Sequence, residues 1–372
     1  MDCGLLVAAG GGGDAIAAAI LHHALRSSGD RPAIATYSWD RLLIDPLPGP
    51  RDPSAFTGLE RVGAHNYRVT ATTTTRPPAG STLPRLAAEV DADLYLLDPR
   101  GGAEGIAHQL AELTRALGAE QVTIVDVGGD LLAHGDEPTL RSPLADSLAL
   151  AATASLDHVD ALLTGAGIDG ELPESLVRER YDQLRAQLVH RLCPDDVAGF
   201  RPLFNWHPSE ATGLLCAAAA GTRGTAEIRD QGLPVILSDH TAEIHALPAH
   251  RILEINQIAR KLRHTRSLEA AEAALRAAGR GSEIDYERRK ASTRSQTTTT
   301  EPTRVLDNPP LDDDLAKIRD DAAQRGIDFL TLRGLAERLG LPGKRLGDLH
   351  AHLSAHPNGE YAPPLWRVRP YT

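Results

Sequence analysis

The residues best suited to chemistry sit where runs of apolar side chains stop. In Val7-Ala8-Ala9-Gly10-Gly11-Gly12-Gly13-Asp14-Ala15, four glycines separate an apolar run from an Ala-rich stretch. Glycine admits positive φ and lets a ligand approach the backbone with no Cβ in the way. A helix starting at that point presents unpaired N–H groups and a partial positive charge. Gly10, Gly11, Gly12, Gly13 and Asp14 are therefore a candidate anion site. The run is neither a Walker A motif nor a GxGxxG fingerprint, so the spacing alone leaves the ligand class open, and a tight turn that merely needs glycine is the alternative.

Three more apolar runs end in the same way: Asp98-Pro99-Arg100-Gly101-Gly102, Asp126-Val127-Gly128-Gly129-Asp130, and Thr164-Gly165-Ala166-Gly167-Ile168-Asp169-Gly170-Glu171. They add Arg100, Gly101, Gly102, Gly128, Gly129, Gly165 and Gly167 as candidate ligand-binding residues. Carboxylates beside a bound phosphate would repel it, so either a divalent cation bridges the two or the acids bind ligand hydroxyls. Mg²⁺ suits the first case, with Asp126, Asp130, Asp169 and Glu171 as candidate metal ligands and Arg100 balancing charge. Helix and turn capping accounts for Asp14 and Asp98 singly, and less well for the recurrence.

Further along come Asn205-Trp206-His207-Pro208-Ser209-Glu210 and Ser238-Asp239-His240-Thr241-Ala242-Glu243. Histidine titrates near neutrality, which makes His207 and His240 candidate general acids or bases beside Asp126 and Asp130. Pro208 and Glu210 also fit the first turn of the helix that follows, a purely structural role.

These residues need strands to carry them. Gly4–Ala9, Ala33–Ser38, Ala92–Leu97, Gln121–Val127, Asp160–Thr164 and Leu233–Leu237 read as strands. Asp14–Arg26, Ala103–Leu117, Leu144–Ala154, Glu174–Leu192, Ala249–Arg263 and Ser267–Ala278 read as helices. The alternation predicts an α/β fold: a doubly wound, mostly parallel sheet with helices on both faces, whose strand ends open on one crevice. Residues 1–286 form the expected ligand-binding and catalytic domain, 287–310 a polar linker containing Thr297–Thr300, and 311–372 a small helical C-terminal domain.

The 372 residues suffice for a substantial core, and 42% hydrophobic with 4% aromatic residues points to Ala, Leu, Val and Ile packing. Cys3, Cys193 and Cys216 are far apart and include no CxxC pair, as expected of reduced thiols in a cytoplasm. The first apolar stretch has no basic flank and is broken by glycines and Asp14, so neither a signal peptide nor a membrane span is expected. A net charge of −11 disfavours nucleic acid, and the C-terminal stretch, though helix-turn-helix in outline, balances nine acidic with nine basic residues. A small molecule is the expected partner, and self-association is left open.

At Ala8–Ala15, Asp98–Gly102, Val125–Asp130 with Ser142–Asp146, and Asn205–Thr212, the chain resembles a bacterial and archaeal family known only as a domain of unknown function. The resemblance spans roughly residues 1–290. It implies a shared α/β fold with a pocket at these loops. Leu163–Ile168 also resembles the NAD-binding loop of sirtuins, but a sirtuin needs a four-cysteine zinc site that three scattered cysteines do not supply, so NAD is disfavoured. The expected function is an enzyme of transferase, ligase or hydrolase type acting on a nucleotide, nucleoside or sugar phosphate, with Mg²⁺ as the candidate cofactor. The alternative is a nucleotide-sensing protein whose C-terminal domain contacts a partner.

Overall fold

A computed structural model describes residues 4–26, 31–229, 234–297, 310–341, 345–355 and 360–369. In chain order the strands are β1 (Gly4–Gly11), β2 (Ala33–Tyr37), β3 (Phe56–Thr57), β4 (Glu60–Arg61), β5 (Tyr67–Val69), β6 (Thr74–Thr75), β7 (Asp93–Leu97) and β8 (Gln121–Val127). They continue with β9 (Val159–Thr164), β10 (Gln187–Arg191), β11 (Gly224–Glu227), β12 (Val235–Leu237), β13 (Glu243–Pro248), β14 (Phe329–Thr331), β15 (Tyr361–Ala362) and β16 (Leu365–Arg367).

The main sheet runs β10-β13-β9-β8-β1-β2-β7-β5-β4. Its centre, β9-β8-β1-β2-β7, is parallel, and the flanking pairs are antiparallel. The chain winds outward from β1 through β2 to β7, then returns to lay β8 on the other side of β1. That reversal makes the β1–β8 boundary the topological switch point, where the carboxyl ends of strands open a crevice. The central strands are buried on both faces, as their unbroken apolar runs require.

Helices cover both faces, over separate apolar layers. On one face the Gly102–Leu117 helix packs through Ile106, Leu110 and Leu113 and stops where Gly118 takes a left-handed cap. Beside it, every residue of the Pro143–Thr153 helix is buried. A helix end so placed cannot leave its N–H groups to water, and the carboxylate of Glu283 accepts those of Leu144 and Ala145 at 2.9 Å.

Several sequence expectations change. The Glu174–Leu184 helix ends eight residues early, where Arg185 adopts a left-handed conformation, and Gln187–Arg191 becomes an edge strand. The helix expected over Ala249–Arg263 breaks at Asn256, whose carboxamide accepts the N–H of Ala259 at 2.7 Å and donates to the Leu131 carbonyl at 3.1 Å. Of the strand expected at Leu233–Leu237, Leu233 lies outside the described residues and Val235–Leu237 pairs with β11 in a second sheet, β12-β11-β14-β16-β15, so the parallel units number five rather than six.

Residues 287–297 of the expected linker belong to the Glu283–Thr297 helix; residues 298–309 lie outside the described residues. The C-terminal segment has its own apolar cluster and contains strands as well as helices. Its β14 pairs in parallel with β11, Ala226 opposite Phe329 and Glu227 opposite Leu330. Among the described residues no helix is long and apolar enough to cross a membrane.

Candidate functional site

One cavity lies at the switch point. The end of β1 and the turn after it supply Gly10–Asp14; the loop after β2, Trp39, Asp40 and Arg41; the end of β8 and its following turn, Asp126 and Asp130. Asp146, Asp169, Glu171, His207, Ser209, Glu210, Arg229, Glu283 and Arg333 complete the polar lining.

Close approach decides the glycine loop. A Cβ on Gly11 would stand 2.6 Å from the Trp39 carbonyl oxygen, and one on Gly13 would overlap the Ser209 side chain and sit 2.8 Å from Thr212 Oγ1. Gly12, with φ +67°, has nothing closer than 3.9 Å. The loop thus threads between Trp39 and the Ser209-capped start of the Glu210–Ala219 helix and delivers bare backbone to the cavity. Asp14, at the first turn of the Asp14–Leu25 helix, accepts the N–H of Gly10 at 2.8 Å.

Opposite this loop stand aspartates. Burial and mutual repulsion push the carboxyls of Asp126, Asp130 and Asp146 well above the ordinary range, Asp14 up to about 7 and Asp169 up to about 6. Asp130 and Asp169 are close enough to share a hydrogen bond. Even so, Asp126 Oδ2, Asp130 Oδ1 and Asp169 Oδ2 are buried without a hydrogen-bond partner. A buried carboxylate oxygen left alone is costly, and a proton or a cation relieves it.

Glu171, expected as a metal ligand, is spoken for. One of its oxygens accepts the N–H groups of Arg141 and Ser142 at 2.6 and 2.8 Å, and the other meets the Ser142 hydroxyl and Arg229. Its place is to hold Arg229 and the strand-end loop in position. The trio His134, Asp136 and Glu137 has ligand atoms within 4.8 Å of one another, but it lies outside the cavity, and both Glu137 oxygens accept backbone N–H groups. A cation in the cavity would therefore take one or two aspartates and complete its shell with ligand oxygens, as Mg²⁺ does beside phosphates.

Three guanidiniums form the basic wall. Arg229 pairs with Glu171 at 3.1 Å, Arg333 with Glu210 at 3.5 Å, and Arg41 with Glu287 at 3.9 Å. Arg333 is largely shielded from solvent and close enough to Arg229 and Arg41 to be repelled by both. Arg333 also lies 3.8 Å from Glu337, but neither the Arg41 nor the Arg333 side chain makes a hydrogen bond among the described residues, which leaves donors of their planar forks available to an anion.

His207 is buried at the cavity wall, and its Nδ1 accepts the N–H of Ser209 at 3.2 Å. That bond assigns the proton to Nε2, which has no partner. Burial pulls its pKa down to about 3, so at neutral pH it is a fixed donor rather than the proton shuttle expected from its type.

His240 stands apart from the cavity, paired with Glu243 at 3.2 Å. Arg100 is also elsewhere, mostly exposed and held by Asp98 and Asp52. Gly101 and Gly102 start the Gly102–Leu117 helix, while Gly128, Gly129, Gly165 and Gly167 take positive φ and shape the strand-end turns without lining the cavity. Arg41, Asp146, Arg229, Glu283 and Arg333 escaped the sequence reading. Only Asp146, four residues after Ser142 in a stretch already noted, carried a local signal.

Comparison with curated proteins and with solved structures finds no match. A family model described as "Protein of unknown function (DUF1152)" matches residues 5–291, which include all but Arg333 of the cavity's lining. With that match extending over well more than half of its length, the chain belongs to the DUF1152 family.

Proposed function

We propose that this protein is an enzyme acting on a phosphate-bearing small molecule, by transfer, ligation or hydrolysis, with a divalent cation such as Mg²⁺ between ligand and aspartates. The observation that carries this reading is the two-sided cavity. Asp126, Asp130 and Asp169 each present a buried oxygen without a partner, and Arg41, Arg229 and Arg333 face the same space.

Acids alone would suit a cation, and arginines alone an anion. Both around a glycine loop suit a metal–phosphate pair, whose charges match the two walls. The aspartates would hold the cation, the arginines would take the outer phosphate oxygens, and His207 Nε2 would donate one further hydrogen bond. Positioning and charge neutralisation of this kind account for most catalysis at phosphorus.

Calorimetry with inorganic pyrophosphate tests the reading. Binding is expected with Mg²⁺ present and lost in chelator, and Asp126→Asn should weaken it at least tenfold with the fold intact by circular dichroism. Binding that ignores Mg²⁺ and survives Asp126→Asn would overturn it. Turnover of nucleoside and sugar phosphates, followed by phosphate release, separates an enzyme from a sensor that binds without reacting.

A further inference from the structure

A second, mostly apolar cleft adjoins the polar cavity. It is lined by Leu43 and Ile44 after β2, by Phe204 and Trp206 ahead of the Glu210–Ala219 helix, and by Leu332, Leu346 and Pro364 of the C-terminal segment. His207, Pro208, Glu210 and Arg333 line both spaces, so the two adjoin across these four residues.

The walls of this cleft are fixed. Trp206 is clamped from outside, with the Arg85 guanidinium 4.1 Å from its ring centroid and its indole N–H donated to Glu89 at 2.7 Å. Thr331 donates to Glu210 at 2.6 Å and accepts the N–H of Gly334 at 3.0 Å, which pins the C-terminal wall to the family-matched part of the chain. The cleft measures about 230 Å³. An apolar cavity of about 150 Å³ admits benzene, so a flat ring fits here.

We infer that the cleft between Leu43, Ile44, Trp206 and the C-terminal segment binds the base of a nucleotide whose phosphate occupies the glycine–arginine cavity. This inference rests on the phosphate reading above and narrows its ligand from any phosphate ester to one bearing a planar heterocycle. A bare sugar has hydroxyls that aliphatic and aromatic walls cannot satisfy, whereas a base buries its faces against them and needs polar contact only at its edge. The exposed Asn205 carboxamide at the rim makes no hydrogen bond among the described residues and can supply that contact.

Leu332, Leu346 and Pro364 lie beyond the residues matched by the family model. The phosphate half of the site is thus built almost wholly from the family region, and the base half is closed by a segment outside it.

The test compares AMP, GMP, CMP and UMP with ribose 5-phosphate, which lacks only the base, by calorimetry on the full chain with Mg²⁺. Inorganic pyrophosphate serves as the anion control. At least one nucleotide is expected to bind tenfold or more tightly than ribose 5-phosphate. Gly347 also lines the cleft, and a Cβ there has nothing within 4 Å, so Gly347→Phe adds bulk at the cleft from a position where the side chain starts in open space. Both Gly347→Phe and, on the facing wall, Leu43→Glu should collapse the nucleotide-to-ribose 5-phosphate ratio toward one. If pyrophosphate binds but no nucleotide exceeds ribose 5-phosphate, the base site is refuted and the phosphate reading stands. A nucleotide preference untouched by both variants also refutes the site. If neither pyrophosphate nor any nucleotide binds, both readings fall.

Discussion

Gly12 and Gly13 are neighbours under different constraints. Gly12 needs only its positive φ, so Gly12→Ala should cost about 1 kcal/mol. Gly13→Ala drives a methyl group into Ser209 and Thr212 and should cost about 3 kcal/mol through overpacking. Urea denaturation of the two variants checks the order, and equal losses would show that the loop yields freely. Glu137 gives a second prediction at this scale. It pairs with buried Arg180, which also donates to the Leu132 carbonyl behind the turn that carries Asp130. Despite its burial, hydrogen bonds from Arg180 and from backbone N–H groups hold its carboxyl down at about 2. A depressed carboxylate stabilises fully above its ordinary pKa and loses that contribution as pH falls through the folded value. Glu137→Gln should therefore cost about 3 kcal/mol at neutral pH and progressively less as pH drops from about 4.5 toward 2, read from denaturation midpoints.

Among the elements, the short C-terminal strand β14 and the helix after it link the two parts of the chain. Thr331 caps the Leu332–Arg338 helix and bonds Glu210 in the cavity wall. Thr331→Ala should lose about 1–2 kcal/mol and weaken pyrophosphate binding, and Thr331→Ser should restore both, as calorimetry and thermal melting would show. Unchanged binding in Thr331→Ala would separate the C-terminal segment from the site. Much at this scale was legible in the residues. Gly4–Ala9, Gln121–Val127 and Asp160–Thr164 are apolar runs stopped by glycine or aspartate, which is how a buried parallel strand looks. Asp126, Asp130 and Asp169 could be placed because each ends or follows such a run. The edge strand β10 was not legible, because QLVHR is half polar and lies just past a helix whose stop at Arg185 no glycine or proline announces. Arg41, Glu283 and Arg333 were hidden for another reason. None belongs to a glycine-rich strand end of the kind that marks the aspartates, and only tertiary packing brings each to the cavity.

The whole molecule carries a charge penalty concentrated at one place. Asp14, Asp40, Asp169 and Glu283 have carboxyls raised to between about 6 and about 7, in each case first by burial. A raised carboxyl favours the folded state most below its ordinary pKa near 4, and that advantage is lost as pH climbs through the folded value. Without a divalent cation the melting temperature should therefore fall between pH 5 and pH 8, by an amount worth on the order of a few kcal/mol. Millimolar Mg²⁺ should flatten the slope and stabilise more at pH 8 than at pH 5, because a cation competes with protons for the same oxygens. Parallel melting curves with and without Mg²⁺ would place the cation elsewhere.

The parallel pairing of β11 with β14 also sets a schedule for biosynthesis. Ala226 and Phe329 are partners separated by about a hundred residues, and no local turn can bring them together early. While the chain is still emerging from the ribosome, the sheet around β1 can assemble and expose its carboxylates to water. Arg333 and the wall made by Leu332 and Pro364 emerge about a hundred residues after β11, so the nascent protein holds a cavity open on that side until β14 and β16 dock.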